Sequence, residues 1–147
     1  MHILVAADAD YVVNDVAAAL GGPDVSFTLV SDGRAVAGAV KARTPHIAIL
    51  DLQVGSMGGM AIAMALRLDE SAGALEHVPL LMLLDRRSDI HLARRCGAEG
   101  YLVKPLNPLK LRRAVQEILS PADSADDEPD DGAAEADSTE QVPAPAG

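Results

Sequence analysis

Five short apolar runs punctuate this chain, and each is followed by a stretch carrying helix signals. The runs are Ile3–Ala7, Val25–Val30, His46–Leu50, Leu80–Leu84 and Gly100–Val103. Runs of this length are too short for core helices, and their apolar character suits strands buried on both faces. Strands joined by helices pair in parallel, with right-handed crossovers and helices covering both faces of the sheet. For about 119 residues the expected form is an α/β fold, the flavodoxin-like doubly wound sheet with strand order 2-1-3-4-5.

The intervening segments predict the helices. Asp10 caps a first helix running to Leu20, with Val12, Val13, Val16 and Leu20 at helical spacing and Gly21-Gly22 as its stop. Ser31-Asp32-Gly33 turns into a second helix over Arg34–Ala42, which ends ahead of Pro45. A third helix covers Gly59–Leu68 with Met60, Ala63, Met64 and Leu66 available for packing. Ser88 or Asp89 caps a fourth, ending at Cys96 and Gly97. Asn107 caps a fifth, which starts with Pro108 and runs to Leu119.

Pro45–Gly59 (PHIAILDLQVGSMGG) is the stretch on which function turns. Its strand ends on Asp51 and breaks into a loop with Gly55, Gly58 and Gly59. In open α/β sheets, ligands bind outside the carboxyl ends of the strands at the point where strand order reverses. In the order 2-1-3-4-5 the first and third strands flank that point. Asp8 and Asp51 follow or end those strands, and the fifth strand closes on Lys104. Two acids and a lysine therefore converge on one pocket.

Charge and composition narrow the function classes. The chain has 147 residues, 49% of them hydrophobic, and a formal net charge of −10. Nine of the 22 acids lie in residues 120–147, which hold no base, so residues 1–119 carry thirteen acids against all 12 bases and are nearly neutral. The last segment is Pro, Ala, Ser, Gly and acid, with Val142 its only large aliphatic residue, and is expected to be a disordered tail. A single domain over 1–119 with no output domain attached is the expected organisation. Cys96 stands alone, which excludes an internal disulfide and a cysteine metal cluster, and it reads as a small packing residue. His2, His46, His77 and His91 show no metal-ligand spacing and read as surface or strand-end residues. With no leader and no apolar stretch long enough to span a bilayer, a cytoplasmic protein is expected. Neither a Walker-type loop nor a dinucleotide fingerprint occurs. Tyr11, Phe27 and Tyr101 are too few aromatics for a flavin site.

The motifs ILVAADAD, HIAILDLQVGSMGG, VPLLML and GAEGYLVKPLNPLKL resemble the receiver domain of bacterial response regulators, over residues 2–119. The resemblance implies that Asp51 is the phosphoacceptor. It also implies that Asp8, Asp51 and the backbone carbonyl of Gln53 hold Mg2+, and that Lys104 contacts the phosphoryl group. The residue types suit that chemistry: a carboxylate nucleophile makes an acyl phosphate, and a cation and an ammonium neutralise the transferring group.

Three departures mark the chain as atypical. Ala7 replaces the first of two adjacent acids, leaving Asp8, Asp51 and Lys104 with one net negative charge, one fewer than the usual set. A weaker negative site predicts weak or absent Mg2+. Leu84 replaces the hydroxyl residue that bonds a phosphoryl oxygen, and as a bulkier side chain it obstructs the inward rotamer of the switch aromatic, Tyr101. Gly55 and Gly58, in place of the usual Pro and Asp, predict a looser loop.

The expected function is an atypical single-domain response regulator in two-component or phosphorelay signalling, not an enzyme, acting through protein contacts. The alternative is a phosphorylation-independent docking module. Expected partners are a histidine kinase or phosphotransfer protein, a further signalling protein on the face of the fourth helix, fifth strand and fifth helix, and a second copy of the chain; neither membrane nor DNA is expected. Arg94, Arg95, Arg112 and Arg113 mark that face, and the acidic tail is a candidate to fold back over it.

Overall fold

A computed structural model describes residues 1–120. The expected acidic tail lies outside the described residues. The strands are β1 (His2–Ala6), β2 (Ser26–Val30), β3 (Ile47–Asp51), β4 (Leu80–Leu84) and β5 (Gly100–Val103), and the helices are α1 (Asp10–Leu20), α2 (Val36–Ala42), α3 (Gly59–Ser71), α4 (Ile90–Arg95) and α5 (Pro108–Leu119). The strands form one sheet in the order β2-β1-β3-β4-β5, with every pairing parallel, as expected.

Alternate strand residues feed two cores. Ile3, Val5, Ile47, Ile49, Leu81 and Leu83 pack under α1 and α5 with Val12, Val16, Leu111 and Val115. Leu4, Ala6, Ala48, Leu50, Leu80, Met82 and Leu84 pack on the other face with Val36, Val40, Ile62, Leu66 and Ala93 from α2, α3 and α4. Every residue of β1, β3 and β4 is buried, which is why these strands are unbroken apolar runs. Each large side chain so buried contributes on the order of 2 kcal/mol.

Several boundaries differ from the sequence expectation. β1 runs His2–Ala6, not Ile3–Ala7, and β2 starts at Ser26 rather than Val25. His2 is buried, with Nδ1 2.8 Å from Ser26 Oγ and Nε2 2.7 Å from Thr28 Oγ1, so it is a polar strand-end residue rather than a surface one. Burial, reinforced by the charge of Arg43, holds its ring below the ordinary histidine range.

Asp10 does not cap α1; Ala9 occupies that position and Asp10 is the first helical residue, where an acid favours the helix dipole. A 3-10 turn over Gly33–Ala35, capped by Asp32 accepting from the Arg34 amide, precedes α2, so the regular helix begins at Val36 rather than Arg34. A second 3-10 turn, Arg87–Asp89, precedes α4, which begins at Ile90, ends at Arg95 and has no side-chain cap. Asp89 is buried instead, 3.4 Å from Arg86.

Helix α3 continues to Ser71, past the expected end at Leu68. Met64, expected to pack, is 52% exposed, because Ile62, Ala63 and Leu66 carry the buried face. Both ends of α5 fall where the sequence put them: Asn107 Oδ1 accepts from the amides of Leu109 and Lys110, and Pro108 opens the helix. Cys96 is buried, and burial pushes its thiol up.

Candidate functional site

The carboxyl edge of the sheet gathers the charged strand ends. Asp51 is the last residue of β3 and is 1% exposed. Strand β3 sits between β1 and β4, so the side chain at its end is screened from both sides. Lys104 follows β5, and its amide donates to the Leu84 carbonyl at 2.8 Å, which fixes where the side chain starts. Its Nζ donates to Asp51 Oδ1 at 2.8 Å. The Gln53 amide also donates to Oδ1, at 3.2 Å. Among the described residues, both side-chain hydrogen bonds to Asp51 thus fall on one oxygen, and Oδ2 is left without one.

A residue that sequence reasoning did not single out completes the group. Asp85 follows β4, and its Oδ1 accepts from Lys104 Nζ at 3.1 Å. One ammonium therefore bridges two carboxylates, with its side chain 12% exposed and that of Asp85 31% exposed. Burial alone would lower the Lys104 pKa, but the hydrogen bonds and charges of Asp51 and Asp85 outweigh it and raise it. The Asp85 Oδ2 atom is, among the described residues, the one buried side-chain oxygen or nitrogen with no hydrogen-bond partner. Tyr11 is a second addition: Nζ lies 5.9 Å from the centre of its ring, at the edge of cation–π range. With Asp85 included, Asp8, Asp51, Asp85 and Lys104 carry two net negative charges, not one.

Asp8 is exposed and lies by the loop after β3; a Cβ added to Gly55 would sit 3.0 Å from Asp8 Oδ2. Ala7, where the usual acid is missing, is buried under α1 and α5 with its amide on the Val30 carbonyl at 3.0 Å. No group of three His, Cys, Asp or Glu side chains placed to hold a metal occurs among the described residues. Two carboxylates and the Gln53 carbonyl are hard oxygen donors suited to Mg2+, which retains several waters. The donor set fits in type and is sparse in charge.

The loop after β3 is tied down, contrary to the looseness its glycines suggest. Gly33 and Met57 donate their amides to the Gly55 carbonyl at 3.0 and 2.7 Å, and Gly59 donates to the Leu52 carbonyl at 3.0 Å. Ser56 Oγ donates to Asp32, with Ser56 itself at φ 62°. That hydrogen bond, ahead of the one from the Arg34 amide, holds the Asp32 carboxyl below its usual range.

The remaining candidates lie on β4, α4, β5 and α5. Leu84 is wholly buried at the end of β4, paired with Val103. Tyr101 is half-buried, and its hydroxyl accepts from Arg94 at 3.3 Å while the guanidinium lies 5.7 Å from the ring centre. Arg94 and Arg95 are exposed in the last turn of α4. Arg112 and Arg113 are exposed on α5, but Arg112 Nη1 donates to the Ala19 carbonyl at 3.2 Å, turning it toward α1 rather than α4.

The family description "response regulator receiver domain" matches residues 3–116. The DNA-binding response regulator MtrA of Mycobacterium tuberculosis is 30% identical over 145 residues, covering 97% of this chain and 60% of MtrA. The chain thus spans less than two thirds of that relative. The structure of the chemotaxis response regulator CheY4 of Vibrio cholerae aligns at a TM-score of 0.68 with 30% identity, covering 80% of this chain and 98% of CheY4. The receiver domain of the sensor histidine kinase PA1611 of Pseudomonas aeruginosa, solved with a magnesium ion in its active site cleft, aligns at 0.66 with 22% identity over 80% of this chain and 96% of its own. With an acid, a lysine and a doubly wound sheet in the family's arrangement, the chain belongs to the response regulator receiver domain family of two-component signalling.

Proposed function

We propose that this receiver accepts a phosphoryl group on Asp51 from a phosphorylated histidine of a kinase or phosphotransfer protein and acts through protein contacts. The observation that carries the reading is the Lys104–Asp51 contact at 2.8 Å, which engages Oδ1 and leaves Oδ2 without a hydrogen bond. In the transfer the donor's N–P bond breaks, its electron pair stays on the imidazole, and Oδ2 forms the new O–P bond. Lys104 offsets charge on the moving group, the role a positioned ammonium plays in phosphoryl transfer. Asp8, Asp51 and the Gln53 carbonyl are the residues that would hold Mg2+, and bound metal would supply further charge neutralisation. Binding is expected to be weak, because Ala7 takes one carboxylate from that side.

The face formed by α4, β5 and α5 is the proposed docking surface, with Arg94 and Arg95 as its exposed cations, and a second copy is one candidate partner. No described helix is long and apolar enough to cross a membrane, in keeping with the proposed cytoplasmic setting. The phosphorylation-independent docking module remains a second reading, favoured by Ala7 and by the buried Leu84.

Intact mass after treatment with a small acyl phosphate and Mg2+ tests the choice. A phosphoryl adduct in the parent that is absent from Asp51→Asn is expected. No adduct on parent or on variants improved for acceptance would leave the docking module.

Leu84→Thr bears on output rather than acceptance. Restoring a hydroxyl at the end of β4 provides a donor for a phosphoryl oxygen and removes bulk from the core layer against which Tyr101 packs. Such a hydrogen bond to a charged group is worth about 2 kcal/mol. The variant should show larger amide shifts around Tyr101 on phosphorylation than the parent. Equal shifts in the two would show that Leu84 does not obstruct the response.

A further inference from the structure

We propose that Asp85 is a built-in competitor for Lys104 that gates phosphoryl acceptance at Asp51. The inference deepens the proposed function and rests on Asp51 as the acceptor. Lys104 already serves two carboxylates, at 2.8 Å to Asp51 and 3.1 Å to Asp85. An incoming phosphoryl group needs the same ammonium and meets a second carboxylate already on it. The pocket's two net negative charges also oppose a phosphodonor, and they do so through a partly buried environment where screening is weak.

The contact is built to be displaced. Asp85 Oδ2 is buried with no hydrogen bond, so the side chain bears an unmet desolvation cost while it sits on the lysine. Asp85 is the first residue past β4, is 31% exposed, and is followed by exposed Arg86 and Arg87. Rotation outward hydrates Oδ2 and frees one ammonium donor. Leu84 offers no hydroxyl in this crevice, so Lys104 is the cation on which a phosphoryl group and Asp85 would compete. In transfer from an acyl phosphate, the donor's O–P bond breaks with its electron pair on the donor carboxylate. Asp51 Oδ2 makes the new O–P bond, and no further reactant is needed.

The test compares the full chain with Asp85→Ala and Asp85→Asn, each checked for folding by thermal unfolding. Two readings are taken. One is the rate of adduct formation against concentration of a small acyl phosphate with Mg2+, followed by intact mass. The other is binding of inorganic phosphate, followed by the amide shifts of Gln53, Leu84 and Lys104. Both variants should form the adduct about tenfold faster at subsaturating donor, which corresponds to roughly 1.4 kcal/mol. Both should also bind phosphate more tightly than the parent, which a merely structural role would not produce. A gain in either reading shared by both variants supports the gate, and no gain in either reading overturns it. Tighter phosphate binding with no adduct on any protein would leave Asp85 as an anion's competitor for Lys104 and end the reading of Asp51 as acceptor. Equal adduct rates with unchanged phosphate binding would do the reverse.

Discussion

Gly59→Ala is expected to destabilise the protein by about 3 kcal/mol, the upper range for overpacking a tight core. Gly59 opens α3 where that helix passes the end of β3. A Cβ there would lie 2.4 Å from the Asp51 carbonyl oxygen and 3.0 Å from both the Asp51 carbonyl carbon and Leu52 Cα. All three are backbone atoms of the strand end that carries the candidate acceptor. They have little freedom to yield, because β3 is paired on both sides and the Leu52 carbonyl accepts from the Gly59 amide. Alanine's better helix propensity returns at most about 1 kcal/mol, and less at a first helical position. Urea unfolding should therefore show a midpoint well below the parent's with an unchanged slope. Because the strain falls on Asp51, the Lys104 contact should loosen as well. A midpoint equal to the parent's would show that α3 can draw back from β3 at no cost.

The second large effect lies at the opposite end of the sheet. Arg67 on α3 gathers the loops before β4 and β5. Its Nε and Nη2 donate to the Gly97 carbonyl at 3.2 and 2.8 Å, and its Nη1 donates to the Val78 carbonyl at 3.0 Å. Nη2 also reaches Glu99 Oε1 at 2.6 Å, an oxygen that in turn accepts from the Leu80 amide at 2.7 Å. Glu70 adds a contact at 3.0 Å and shares His77 with Glu99. The hydrogen bond from His77, ahead of that from Arg67, holds the Glu70 carboxyl below its usual range. The two carbonyls and Glu99 lose their shared donor in Arg67→Met, while the aliphatic stem is kept. Hydrogen bonds to a charged group contribute about 2 kcal/mol each net of water, and water reaches the partly exposed Arg67 site and replaces part of them, so a loss of about 2–3 kcal/mol is expected. Arg43→Met is the control: Arg43 makes one exposed hydrogen bond, 3.2 Å to Ser26, and should change stability by under about 0.5 kcal/mol. Equal midpoints for the two variants would refute the anchoring role of Arg67.

Much of the fold was written locally. Strands β4 and β5 fall where their apolar runs predict: β4 is buried throughout and so must be apolar, while β5 is a half-buried edge strand closed by Lys104-Pro105. Helix α5 has both its expected ends, since Asn107 and Pro108 carry their own start signal. The misplaced boundaries are those where two local signals compete. Asp10 is a good capping residue, yet Ala9 takes the extended conformation and Asp10 enters the helix. Ser88 and Asp89 both suggest a cap, yet a 3-10 turn intervenes and Asp89 is buried. The end of α3 depends on a distant loop, since Arg67 in its last turns is bonded to Gly97 and Glu99.

The candidate site divides along the same line. By itself, the sequence determined the strand–helix alternation, and with it the sheet order and the meeting of Asp51 and Lys104 at its carboxyl edge. Those residues sit at strand ends, and strand ends are set by short-range apolar pattern. Asp85 and Tyr11 were decided only by the tertiary structure. An acid one residue past a strand reads as ordinary loop polarity, and an aromatic near the start of a helix reads as packing. The sheet order puts β4 between β3 and β5, but nothing local indicates that the residue after β4 turns its carboxylate onto Lys104, which lies 53 positions from Asp51 and 19 from Asp85. The distance between two charges is a property of the folded sheet, and the chemistry of this pocket depends on that distance.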